Sequence, residues 1–145
     1  MCGIVGLYLK NPALESQLGA LFEPMLISMT DRGPDSAGFA IYGDEVPDGW
    51  IKLTLRHHDL GYSWEALSSE IKEKLGCEVD WFSNHCVAVF KVHAESAAVE
   101  SVIAEFDADV LILSAGQSIE ILKEKGLPEE IAGKFNLAGM KGTHI

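Results

Sequence analysis

Cys2 stands directly behind the initiator methionine in the opening stretch MCGIVGLYLK. A thiolate is a strong nucleophile, but at neutral pH only a few per cent of an unperturbed thiol is ionised. A reactive cysteine therefore needs a base or a cation beside it. Removal of Met1, which the small side chain of Cys2 permits, would put a free α-amine on the same residue as the thiol. Such an amine titrates at roughly 7.7–8.0, so near neutrality a useful fraction is an unprotonated base. One residue then supplies both nucleophile and base, the amine acting through a bridging water. With Met1 retained the nitrogen is an amide and that chemistry is lost. Taken alone, a cysteine at position 2 is more often a small packing residue.

A second stretch, DRGPDSAG at residues 31–38, bears on the choice. Arg32 offers a fixed cation and Gly33 an unhindered backbone, a pair able to hold a thiolate or orient a terminal amine. Asp35 and Ser36 can satisfy the loop's own amides. By itself this stretch reads as a Pro-Asp turn with a solvated arginine. Gly3 and Gly6 bracket apolar residues, as expected where a strand comes close to other backbone.

The elements that must position these groups follow from pattern. IVGLYL at residues 4–9 is β-prone and ends at Asn11-Pro12, an N-cap followed by a good first helical residue. Leu14, Leu18, Leu21, Phe22, Met25, Leu26 and Met29 recur at three- and four-residue steps, one face of a helix that Pro24 should kink or split. A strand is expected at GFAIY, 38–42, a turn at GDEVPDG and a half-buried strand through Ile51, Leu53 and Leu55. Ser63 caps a helix carrying Trp64, Leu67, Ile71 and Leu75. Thereafter the pattern predicts a strand at 86–92, a helix through Val99, Val102, Ile103 and Phe106, and a strand at 109–113. A helix over 118–126 stopped by Gly126, and a last helix from Pro128, complete it. Residues 86–126 thus read β-α-β-α and residues 1–56 β-α-β-β, an α+β chain.

The bulk properties exclude several classes. Nearly half of the 145 residues are apolar, enough for one ordinary domain. The net charge of −11 argues against a nucleic-acid surface, and the apolar runs VAVF and VLIL are far too short for a bilayer. No secretory signal opens the chain, and the three cysteines have no framework spacing. Free thiols in a reducing cytoplasm are expected, without a structural disulfide.

The two motifs in order, MCGIVG and then RGPDSAG, resemble the class II glutamine amidotransferases over residues 2–43. Within that class, the helix and TDRGPDSAG look most like the amidotransferase subunit related to glutamate synthase, of the N-methylglutamate synthase type. The resemblance implies the four-layer αββα sandwich of N-terminal-nucleophile (Ntn) enzymes. It also implies that Cys2 attacks the side-chain amide of glutamine while the α-amine handles the proton. Ammonia leaves for a partner synthase, and water releases glutamate from the thioester. Arg32 and Gly33 would line the nucleophile pocket in a supporting role, with no metal and no cofactor. Residues 1–56 would be the start of that domain and 57–141 an insertion or elaboration within it. GTHI at 142–145 looks like the approach to a Gly-His-Thr-Arg segment that completes the pocket, so an incomplete chain is expected. The competing readings are a non-catalytic partner-binding module, or the glutaminase domain of a phosphoribosylamine, glucosamine phosphate or asparagine synthase.

Other groupings carry less. Cys77, His85, Cys86 and His93 suggest zinc, but the spacings fit no common finger, and neighbours 85 and 86 would face opposite sides of a strand. His57-His58 is expected at a strand end on the surface. SAGQS at 114–118 could hold an anion at a helix N-terminus but lacks a phosphate loop's lysine, so a plain β-to-α turn is expected. Trp50, Trp64 and Trp81 read as core or interface residues.

Overall fold

The computed structural model describes residues 3–145. Its elements are helices α1 (Leu18–Ile27), α2 (Trp64–Leu75), α3 (Ser96–Phe106) and α4 (Pro128–Lys134). The strands are β1 (Ser36–Tyr42), β2 (Ile51–Arg56), β3 (Val79–Asn84), β4 (Val87–Val92), β5 (Leu111–Gly116) and β6 (Ile119–Lys125). The chain forms two compact units, one of residues 1–44 with 121–145 and one of residues 45–120. None of the described helices is long and apolar enough to cross a membrane.

The 45–120 unit follows from its caps and its alternation. Ser63 accepts the Ala66 N–H at 3.3 Å to start α2, and Gly76, in the left-handed region at φ 59°, ends it. The strands lie in the order β3-β4-β2-β5, every neighbour antiparallel. With the two helices this is the split βαββαβ topology of ferredoxin-like folds. Leu53, Phe90 and Trp81 stand opposite one another across three strands. Together with Leu55, Ala88 and Val92 they form a core with Trp64, Leu67 and Ile71 of α2 and Val99, Val102 and Ile103 of α3. The alternate positions of β2 are buried too. Lys52, only 1% exposed, reaches Glu120 at 2.9 Å, and Thr54 accepts from Ser114 at 2.8 Å. A buried ammonium is tolerated because a carboxylate sits against it.

In the other unit, Asn11 accepts the Ala13 N–H at 3.1 Å and Pro12 opens a 3-10 turn, Pro12–Gln17, that leads into α1. Pro24 does not split α1, which runs through it, and the Ser28 N–H reaches the Pro24 carbonyl at 3.1 Å. The change of helix type comes earlier, at Leu18. There Gly19 lies against the Leu137 carbonyl so closely that a Cβ has no room, and its N–H donates to Met140 at 3.0 Å. Phe39 of β1 meets Phe135 edge-on beyond α4, with ring centres 6.2 Å apart.

Three expectations are corrected. Residues 118–126 are not a helix: 119–125 form β6, which pairs with β1. Ile119 and Ile121 are β-branched and suit a strand. The pairing is tight enough that a Cβ on Gly38 would lie 2.7 Å from the Leu122 carbonyl. Gly126 at φ 133° donates to Asp35 instead of ending a helix. Strand β1 starts at Ser36, so the end of the expected loop is already paired sheet. Residues 4–9 form no continuous strand; Tyr8 makes an isolated bridge to His144. The sequence pattern also missed β3, whose VDWFSN alternates half-buried and exposed residues. Mixed α and β with antiparallel sheets is thus observed.

Phe90 is fully buried at the centre of the 45–120 core. Phe90→Ala is expected to cost about 3–5 kcal/mol in urea unfolding. A loss under about 1 kcal/mol would show that this core does not govern stability.

Candidate functional site

Gly3 is the first described residue, and it lies directly on the second motif. A Cβ built there would strike the Met29 methyl and lie 2.9 Å from Cβ of Arg32. Only glycine allows this approach, so the residue next to Cys2 in sequence packs on the arginine stem. Cys2 itself lies outside the described residues.

Arg32 is set by consecutive tight turns beyond α1. Thr30 Oγ1 donates to the Ile27 carbonyl at 2.6 Å, and the Arg32 N–H to the Met29 carbonyl at 2.9 Å. The Gly33 N–H closes on Thr30 at 3.3 Å. Gly33 has φ −161°, extended backbone open to any residue. Its missing side chain instead leaves room in a cleft of about 140 Å³ whose walls include Gly3, Met29, Ser36 and Pro128. A larger concavity of about 450 Å³ adjoins it, sharing Gly3, Leu26, Met29 and Gly38, with Phe22 and Phe39 among its apolar walls. Its polar groups come from Tyr42 and His144, stacked with ring centres 4.1 Å apart. An apolar hollow with few polar groups suits a small ligand.

The last residues hold this arrangement from below. Leu7 and Ile145 exchange backbone hydrogen bonds at 2.9 and 3.0 Å, and the Leu9 N–H reaches Thr143 at 2.9 Å. On its other side the same segment pairs with Tyr42, which donates to the His144 carbonyl at 3.0 Å and accepts from the Thr143 N–H at 2.9 Å. Tyr42, His144 and Met29 were not singled out as site residues from the sequence. From the sequence, GTHI reads only as a motif approach and Met29 as one position on a helical face.

The other sequence candidates fall elsewhere. Cys77 and Cys86 are free thiols, the second in the core. Burial pushes the Cys77 thiol up, the opposite of activation. Among the described residues, Cys77, His85, Cys86 and His93 form no group that could share an ion. His85, at φ 57°, and Cys86 make the β3–β4 turn instead of lying within a strand, and His93 stacks on Trp50 at 5.3 Å. SAGQS joins two strands, so no helix N-terminus is present there to hold an anion. Trp64 is core, and Trp81 stacks on Phe90 at 5.8 Å. His57 is buried, contrary to the surface placement expected for the pair, while His58 is exposed.

A raised thiol pKa leaves little thiolate at neutral pH, and reactivity should appear only above the ordinary thiol range. Iodoacetamide is accordingly expected to alkylate Cys77 more slowly than free cysteine at pH 7. The rate should climb about tenfold per pH unit on the alkaline side. Peptide mass spectrometry at pH 7 and 9 checks this, and alkylation at the free-thiol rate at pH 7 would contradict it.

No protein-family model matches the chain, and no solved structure matches it. Two curated proteins do. Over 145 residues, 99% of the chain, it is 43% identical to the glutamine amidotransferase-like protein GlxB of Rhizobium meliloti (strain 1021), covering 48% of that protein. Over 152 aligned positions, again 99% of the chain, it is 32% identical to a "Putative glutamine amidotransferase" of Methanothermobacter thermautotrophicus (strain Delta H), covering 50% of it. The chain spans about half the length of the curated relatives it matches. Across nearly its whole length, then, it is homologous to half of proteins that carry the name of glutamine amidotransferases.

Proposed function

We propose that this chain is the nucleophile-bearing part of a class II glutamine amidotransferase and that Cys2 is its catalytic residue. The observation that supports the reading is the packing of Gly3, the residue after Cys2, on Arg32 of the RGPDSAG motif. The names of the two relatives support a glutamine amidotransferase in general.

After removal of Met1, the Cys2 α-amine takes the thiol proton through a water, and the sulfur attacks the δ-carbonyl carbon of glutamine. The tetrahedral intermediate collapses with breakage of the C–N bond. The leaving nitrogen takes up a proton and departs as ammonia, leaving a γ-glutamyl thioester. Water activated by the same amine then cleaves the thioester, releasing glutamate and restoring the thiol. Arg32 acts as a fixed cation beside the nucleophile, and the open backbone at Gly33 leaves space for the substrate. No cofactor enters these steps. Ammonia passes to a synthase partner, of the N-methylglutamate synthase or glutamate synthase type. The fold of the complete domain is the Ntn αββα sandwich. The insertion within it, expected from the sequence over 57–141, is drawn here over residues 45–120, a reading supported by the 1–44 and 121–145 flanks belonging to one compact unit.

The test uses intact mass after incubation with a diazoketone analogue of glutamine. Loss of methionine with a single adduct on Cys2, blocked by glutamine, is the expected result; retained methionine would exclude the amine-assisted mechanism. In the full-length protein, Cys2→Ser should lower glutaminase turnover by about a thousandfold or more, and undiminished turnover would end the proposal. Gly3→Val should displace Arg32 and lower turnover by about a hundredfold in the same protein. The same clash should cost about 1–3 kcal/mol in urea unfolding, too little to account for the lost turnover in a protein that stays folded.

A further inference from the structure

The hollow of about 450 Å³ is walled on one side by residues 3–6 and on the other by residues 38–40. His144 and Ile145 stand at its end, and Phe22 and Leu26 of α1 line it. Residues 143–145 lie between residues 7–9 and Tyr42 and are bonded through the backbone to both. Neighbouring strands are spaced about 4.8 Å apart, so edges that flank one strand stand roughly 9.6 Å from each other. The two walls of the hollow continue these two flanking edges, one strand apart.

Both walls offer backbone groups to a strand. Leu9 and Leu7 turn their N–H groups to the middle segment, and in an extended chain every second residue bonds to the same side. That alternation makes Val5 the next residue to face inward. Among the described residues, the Val5 N–H and carbonyl form no hydrogen bond. On the opposite wall, Tyr42 donates to the His144 carbonyl and accepts from the Thr143 N–H. Along β1 the same alternation turns Ala40 and Gly38 to the hollow, and Phe39 and Ile41 to β6, its one partner among the described strands. An unpaired strand edge is a template for another strand. Here two such edges face each other.

We propose that the hollow is a slot for one β-strand, and that in a protein as long as its relatives the residues following Ile145 fill it. Ile145 and Leu7 exchange backbone hydrogen bonds, so a chain carried on in the same direction enters the slot without a turn. The aligned part is only about half of each relative, which leaves sequence to supply such a strand. Tyr8 and Tyr42 both bridge to His144, and that bridge sets the register. Two positions on, the first residue after Ile145 falls between Gly6 and Ala40, and the second between Val5 and Phe39. The strand bonds to both walls along its length, and its apolar side chains meet Phe22 and Leu26. This inference concerns the path of the chain and stands independently of the amidotransferase reading.

The experiment compares amide hydrogen exchange, read by nuclear magnetic resonance, in the 145-residue chain and in a protein extended to the length of its relatives. The Val5 and Ala40 amides are expected to exchange about a hundredfold or more slowly in the longer protein than in the shorter one. Phe39 and Ile41, which face β6, should be protected in both. Cross-strand proton contacts should place Ala40 against the first residue after Ile145 and Val5 against the second. Equal exchange of Val5 or Ala40 in the two proteins would overturn the slot. Contacts that set another segment against Val5 and Ala40 would overturn it too, as would protection lost on dilution, which would assign the strand to a second copy.

Discussion

The backbone ladder between residues 7–9, residues 143–145 and Tyr42 is the constraint on which the candidate site rests. It is made of peptide groups, so it fixes the path of the opening segment with little dependence on side chains. Hydrogen bonds of this kind are directional and costly to leave unmade. Once Leu7 and Leu9 are held, the chain before them is led toward α1, and Gly3 meets Met29 and Arg32. The stacked Tyr42 and His144 are a by-product of the same ladder, since each belongs to one of its rungs.

The 45–120 unit is stabilised differently. Its sheet is buried on both faces along β2, where one side is apolar and the other holds the Lys52–Glu120 pair and the Thr54–Ser114 hydrogen bond. Apolar contact there is non-directional and would tolerate many partners, whereas the polar pairs admit few. Strand register is accordingly specified twice, once by the alternating apolar side chains and once by polar groups that need specific mates.

Local chemistry was legible in the sequence where one residue decides the outcome. Asn11, Ser63 and Pro128 each start the helical element expected of them, because a cap or a fixed φ acts without help from the rest of the chain. The failures lie where long-range pairing decides. SIEILKEKG has helix-compatible spacing and good helix formers, yet pairing with β1 turns most of it into strand. VDWFSN is too polar to read as a strand until β4 is beside it. Pro24 does not split α1 although it removes one backbone donor from the helix. The Gly3–Arg32 contact lay in the motif order, but its geometry did not.

The Leu7–Ile145 pairing joins opposite ends of the described chain. On a ribosome, residues 7–9 emerge early but cannot make this ladder until residues 143–145 have also been synthesised. Contacts of such long sequence separation form late. Residues 7–9 consequently stay without these partners until residues 143–145 have left the ribosome. Residues 7–9 are thus made long before the residues that hold them, and their path is settled late.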